Sequence, residues 1–384
     1  MGTITRGIAN NILGSGAVDG TDGLSGTVPA NNIANASLNN ITSLPPSVDA
    51  GIPSVAGNPP SPSDGDVWYN SSTYKLRVRG VSAPAGSWAS GTNINTARNY
   101  AVGIGATSGA AIAVGGTPPD NSYDTKTESW NGSSWTEVND VNTGRFGAVG
   151  AGASYTSGLI TMGYTGATPP SNANTTKTET WNGTNWTETG DLNTKRQDGG
   201  GFGTQTSAVV AGGYKYVPSG GRVGICESWN GSAWTEVADL NTVRYKLSES
   251  GAGADNTSGI IAGGDVNPPT QNTTKTEEWN GSSWTEVGDM NLARDNLGAT
   301  GIATAALAFG GETDSPDDEF YAQTEVWNGT SWSEIGDLNS GRTRVGSAGT
   351  TASAMAMGGN PGTGIVATVE TWTGGVGNLD VTLS

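Results

Sequence analysis

A two-tryptophan phrase recurring about every 50 residues, six arginines in step with it, and 61 glycines in a chain of 384 residues predict an all-β fold, a six-bladed β-propeller. Only 34% of the chain is hydrophobic, and Thr, Ser and Asn abound. That composition favours many short strands joined by tight turns over packed helices. At this length the chain can bury a sizeable core in one large ring plus an appendix.

The phrase is Trp-Asn-Gly-x-x-Trp, with copies at Trp130 to Trp135, Trp181 to Trp186, Trp229 to Trp234, Trp279 to Trp284 and Trp327 to Trp332. The first tryptophans step by 51, 48, 50 and 48 residues. A second phrase, Asp-[Leu/Val/Met]-Asn-x-x-Arg, follows and ends on Arg145, Arg196, Arg244, Arg294 and Arg342, with Arg98 in the corresponding place ahead of the first unit. Arginines thus count six units, whereas the complete tryptophan phrase occurs five times. The sixth copy is divided between Glu370-Thr371-Trp372-Thr373-Gly374-Gly375 and Gly86-Ser87-Trp88. In a propeller such a division means closure, with the outer strand of the last blade coming from the N-terminal side.

Each unit reads as four strands. A Gly/Ala-rich strand follows the arginine, an apolar strand ends in Gly-Gly, a Thr/Glu strand reaches the first Trp, and a last strand begins at the second Trp. Small residues suit the crowded axis, and tryptophans suit the splayed rim, where each covers apolar area between blades. Asn-Gly is expected to supply the left-handed backbone angles of a tight hairpin between the two tryptophans. The repeated charges, such as Glu137, Asp140 and Arg145, are expected to hydrogen-bond or pair between the fourth strand and the next blade's first, because a group present in every blade is a construction element rather than a catalytic centre.

These motifs, Gly-Gly, the spaced tryptophans and the arginine opening each unit, resemble the kelch repeat over residues 87 to 372. The resemblance implies the propeller and leaves activity open, since such rings host many functions. Kelch-type oxidases resemble this ring but use histidine copper ligands, and the chain has no histidine. That also removes His-dependent triads and imidazole metal sites. Sialidase-like rings carry Ser-x-Asp-x-Gly-x-x-Trp turns, which do not occur. A glycosidase using two carboxylates stays open as the less favoured reading, although no acidic pair stands apart from the repeat.

Charge narrows the partners. A net charge of −17 repels phosphate backbones, and no basic patch with interleaved aromatics occurs, so nucleic acid is not expected. No apolar run nears the ~18 residues of a membrane span, and Met1 to Leu13 lacks the pattern of a signal peptide. Cys226 is the only cysteine, so packing alone must hold the fold, and Cys226 itself reads as a small buried strand residue.

Ahead of the ring, residues 1–60 are rich in Asn, Ala, Gly and Pro and are expected to form an extended assembly arm that orders on a partner chain. Ile4, Ile8 and Ile12 could share one helical face there. Residues 61–86 read as a β-hairpin module, residues 87–372 as the propeller, and residues 373–384 as a C-terminal tail. Gly65-Asp66-Val67-Trp68-Tyr69-Asn70 followed by such a hairpin resembles a module of bacteriophage tail fibres and other virion appendages. The resemblance implies a virion protein assembled in a bacterial cytoplasm and present in several copies or as a homo-oligomer. Its partners would be other virion proteins, through the arm, and host-surface glycan. A head or tail decoration or connector without a receptor is the alternative.

No enzyme activity, cofactor or metal is expected. The twelve tryptophans Trp88, Trp130, Trp135, Trp181, Trp186, Trp229, Trp234, Trp279, Trp284, Trp327, Trp332 and Trp372 are assigned to blade packing. Ligand contact is expected on the loops after Gly-Gly, which differ between blades while the rest repeats. Their exposed aromatics, Tyr123, Tyr164, Tyr214, Tyr216, Phe320 and Tyr321, offer flat faces to sugars.

Overall fold

The computed structural model describes residues 54–55, 67–70, 75–78, 86–166, 173–216, 220–266, 271–313, 319–374 and 379–380. Apart from Ser54–Val55, the expected arm over residues 1–60 lies outside them, as do the middles of four loops on the ring. Contacts divide the chain into Gly86–Gly374 and a second unit of Met1–Ala85 with Gly375–Ser384.

The larger unit is a six-bladed β-propeller without helix among the described residues. Blade 1 comprises Val102–Thr107, Ala110–Val114, Thr127–Trp130 and Trp135–Val138, each antiparallel to the next. Blades 2 to 6 open on the inner strands Val149–Ser154, Gly200–Thr204, Ala252–Asp255, Gly298–Ile302 and Gly346–Gly349. Each inner strand touches the next, and the sixth touches the first. The outer strand of blade 6 is Ser87–Ser90, paired with Val369–Thr373 so that Trp88 stands opposite Trp372. Closure from the N-terminal side is therefore present as the divided repeat implies.

Crowding at the axis explains the small residues. A Cβ on Gly103 would lie 2.3 Å from the Ser347 carbonyl oxygen of the neighbouring inner strand. The core is six separate layers between blades. One of them combines Phe202, Val209 and Leu240 of blade 3 and its linker with Leu247, Trp279 and Trp284 of blade 4.

Paired tryptophans build those layers, with ring centroids 5.2 to 5.6 Å apart in every blade. The first Trp donates its indole N–H to the turn between strands one and two of its own blade, as from Trp229 to the Gln205 carbonyl at 2.9 Å. The second donates to the preceding blade. Trp186, Trp234, Trp332 and Trp88 bond the hydroxyls of Thr127, Thr178, Thr276 and Thr324 at 2.9 to 3.0 Å. Cys226 and Val369 replace that threonine in blades 3 and 6, and there Trp284 and Trp135 use the Ala238 and Thr92 carbonyls. Cys226 is fully buried, and burial pushes its thiol up to about 12, which leaves it an inert packing residue.

The repeat arginines pair differently from the sequence expectation. Each is buried against the Glu of its blade's third strand: Arg98 with Glu128, Arg145 with Glu179, Arg196 with Glu227, Arg244 with Glu277, Arg294 with Glu325 and Arg342 with Glu370. Glu137 instead reaches the exposed Lys126, and Asp140 the Thr125 hydroxyl. The buried Glu also receives the incoming linker. Glu277 accepts from the Asn241 backbone N–H and side-chain amide and from the Thr242 N–H. Four charge-assisted bonds saturate the carboxylate, which is what makes its burial tolerable.

The turn between the two tryptophans also differs. Trp130 pairs with Trp135 across a four-residue loop. Asn131 Oδ1 closes it by accepting from the Ser133 and Ser134 N–H groups, and the left-handed residue is Gly132 alone (φ 92°). Asparagine serves here as a side-chain acceptor rather than as a left-handed residue.

In the smaller unit Val67–Asn70 pairs antiparallel with Lys75–Val78. Ser54–Val55 lies parallel to the first strand, and Leu379–Asp380 antiparallel to the second. Part of the segment read as a tail from residue 373 is thus a strand of this sheet.

Candidate binding face

Alternation of strand direction places the blade-to-blade linkers and the loops after Gly-Gly on one face. Three positions per blade change identity there while the scaffold repeats. They are the two residues after the arginine and the residue after the glycine pair, which is Met162-Gly163 in blade 2. The first and third are joined by a single β-bridge in every blade, as Asn99 to Thr117, Phe146 to Tyr164 and Gln197 to Tyr214. The close passage requires glycine: at Gly116 (φ 96°) a Cβ would fall 2.5 Å from the Asn99 carbonyl.

The second position is left-handed in all six blades, with φ between 49° and 58° at Tyr100, Gly147, Asp198, Lys246, Asn296 and Arg344. Five of these carry side chains, and each such residue costs roughly 1 kcal/mol in that conformation. Hydrogen bonds around the axis hold it. The Tyr100 N–H donates to the Arg344 carbonyl (3.0 Å), Asp198 to Gly147, Asn296 to Lys246 and Arg344 to Asn296 (each 2.8 Å). Repeated in all six blades, this conformation is part of how the ring is built, and it fixes the direction in which each variable side chain leaves the backbone.

Across blades 1 to 4 the variable residues form a continuous arc of aromatic rings. Tyr100 touches Phe146 (5.2 Å between centroids), Phe146 touches Tyr123 and Tyr164 (5.7 and 5.3 Å), Tyr164 touches Tyr216 (5.7 Å), and Tyr214 touches Tyr216 and Tyr245 (5.2 and 5.4 Å). Cations cap both ends. Arg222 lies 4.8 Å over Tyr245, and Arg344 lies 5.2 Å over Tyr100. A short hairpin, Tyr214–Lys215 with Gly221–Arg222, carries the rings of blade 3.

Toward the axis the face is charged. Lys246 pairs with Asp295 at 3.1 Å, Arg344 with Glu312 at 3.0 Å, and Arg222 with Asp265 at 2.7 Å. Asp198 lies over Gly147, where a Cβ would come within 2.2 Å of its Oδ1. Burial raises the Asp198 carboxyl to about 6 and that of the deeper Glu249 to about 8. Burial, then the Asp198 charge, also holds the Tyr100 hydroxyl well above its ordinary range. At the opposite end the axis opens as a cavity of about 160 Å³ walled by inner-strand residues such as Gly105, Gly152, Phe202 and Ile302. Among the described residues no three His, Cys, Asp or Glu side chains are grouped as a metal site.

Of the aromatics singled out in the sequence, Tyr123, Tyr164, Tyr214 and Tyr216 come together in the arc. Phe320 and Tyr321 sit in blade 5, where Phe320 packs beside Gly362 of the next blade as Tyr123 does beside Gly166. Only Tyr216 of the six is exposed, at 49%; the others are partly covered by one another and by the loops. Tyr100, Phe146, Tyr245, Asp198 and Glu249 are additions from the structure. Their signal in the sequence was variation at a fixed distance from each arginine. The chain matches no family model, and no curated protein matches it significantly.

Proposed function

We propose that the chain is a non-enzymatic binding protein of a virion, whose propeller holds host-surface glycan along the aromatic arc. The observation that carries this reading is the arc itself: seven rings in unbroken contact on the face where the repeat varies. Flat aromatic faces stack on the apolar faces of sugars, and residues varied on a uniform scaffold are where specificity is placed. The paired charges beside the rings supply hydroxyl-directed hydrogen bonds. Placement on a virion is supported by the Gly65 to Asn70 phrase and its hairpin, with attachment assigned to the segment ahead of it.

The experiment is glycan-array binding and adsorption to host cells by the full chain and by Y214A/Y216A. Tyr216 is half exposed, so the variant should keep its melting temperature within a few degrees, roughly the scale of a surface substitution. It should lose at least about tenfold in binding, the scale expected for losing two stacked rings. Unchanged binding would move the contact off this face.

A further inference from the structure

Blade 4 departs from the small residues that line the axis. Five residues after the arginine, the other blades have Gly103, Gly150, Gly201, Ala299 and Ser347, whereas blade 4 has Glu249. Its inner strand begins only at Ala252, and the serines flanking Glu249 are fastened to other blades. Ser250 Oγ donates to the Gly103 carbonyl at 2.7 Å, and Ser248 Oγ accepts from the Ala299 N–H at 2.9 Å. Glu249 is thereby held in the ring's interior, 3% exposed, and its Oε2 has no hydrogen-bond partner. The same is true of Oδ1 of Asp198, which is 8% exposed and extends toward the gap left by Gly147.

Two amide oxygens on the same face share this condition, Gln197 Oε1 and Asn296 Oδ1. Their orientation is fixed, because the amide nitrogens are already donors. Gln197 Nε2 bonds Asp198 Oδ2 at 2.7 Å, and Asn296 Nδ2 bonds Glu312 Oε1 at 2.8 Å and Asp295 Oδ1 at 3.1 Å. The basic groups of the face have other partners: Lys246 pairs with Asp295 and Arg344 with Glu312. Consecutive blades 3, 4 and 5 therefore place unpartnered buried carboxylate and amide oxygens at one end of the axis, and the buried donor left unbonded on that face is Arg344 Nε. An environment of carboxylate and amide oxygens is the chemistry that recognises a hard cation.

We propose that this end of the axis binds one calcium-class cation, held by Asp198 and Glu249 with the amide oxygens of Gln197 and Asn296 available beside them. The cation would balance two interior carboxylates that have no salt-bridge partner of their own.

The test is calorimetric titration of the full chain with calcium chloride at pH 7, with magnesium and sodium chloride as parallel arms. The expected result is one saturable calcium site and a melting temperature about 5 °C higher at saturation. D198N and E249Q should each weaken binding at least about tenfold. Tyrosine-sensitised terbium emission that calcium displaces gives a second readout, independent of whether either variant folds well. The proposal is overturned by the absence of heat and melting shift up to about 10 mM calcium. It is equally overturned by responses kept intact in both variants, which would place calcium on the acidic rim, or by equal effects of sodium.

Discussion

Replacing Glu277 by alanine tests whether the buried Arg–Glu pair holds each blade to its linker. Glu277 accepts from the Asn241 N–H (2.8 Å), Asn241 Nδ2 (2.9 Å), the Thr242 N–H (3.1 Å) and Arg244 Nη2 (3.0 Å), and both charged side chains are fully buried. Arg244 would keep its bonds to the Lys275 and Gly263 carbonyls (2.6 and 3.2 Å) but lose its counter-charge. Stranding one member of a buried pair costs about 3–5 kcal/mol. The two orphaned backbone donors add roughly 1 kcal/mol each, less where water reaches the exposed Asn241. E277A should therefore lose about 4–6 kcal/mol in urea unfolding, a midpoint shift of some 1–2 M at a slope of ~3 kcal/mol/M. The comparison is E286A in the same blade, which removes the half-exposed partner of Lys275 and should cost no more than about 0.5 kcal/mol. A loss below ~1 kcal/mol for E277A, or equal losses for the two variants, would refute the docking role.

Two further outcomes follow from closure and from the interior carboxylates. A chain beginning at Gly91 lacks Ser87–Ser90 and the Trp88 contacts with Trp372, Phe309 and Thr324, so it should melt at least about 5 °C below one beginning at Ser82; equal melting temperatures would discount closure as a source of stability. Glu249 ionises near 8 in the folded chain against an ordinary 4.5, so the stability linked to its neutral form is complete below about 4.5 and is lost as pH rises through 8; Asp198 acts with the same sign up to about 6. With a chelator present, E249Q should lose less melting temperature than the parent between pH 5 and 8.5, and parallel profiles would count against an ionising interior carboxyl.

The ring was legible because its signals are repeated and local. The period and the arginines report a constraint met six times and the glycine pairs one met five times, and closure through Trp88 follows from counting the divided tryptophan phrase. The arginine partner was not legible. Glu128 and Glu137 are both acidic and both repeat, and only burial, which depends on how the linker folds back, separates them. The Trp-Asn-Gly loop misled for a related reason, since Asn-Gly marks two different turns and the strand register decides between them. Four rings of the candidate face could be named from loop position. Phe146, Tyr100 and Tyr245 escaped because they lie in the linkers, next to an arginine whose role is structural. Asp198 and Glu249 were hidden among many acidic residues, and what distinguishes them is depth.

The pairing of Ser87–Ser90 with Val369–Thr373 also has a mechanical consequence. In that register Ser87 faces Thr373 and Ser90 faces Glu370, so the chain enters and leaves the ring at Gly86 and Gly374, side by side at one end of an antiparallel ladder. Tension drawing those two points apart would meet the ladder's bonds one after another, as a zip, rather than all together in shear. The rim tryptophans resist first, because Trp88 and Trp372 sit next to the entry point and in contact. Once they part, the remaining rungs carry the load singly. A load spread around the other five blades would have to shear whole sheets, so the ring has one seam, and the chain both enters and leaves the ring there.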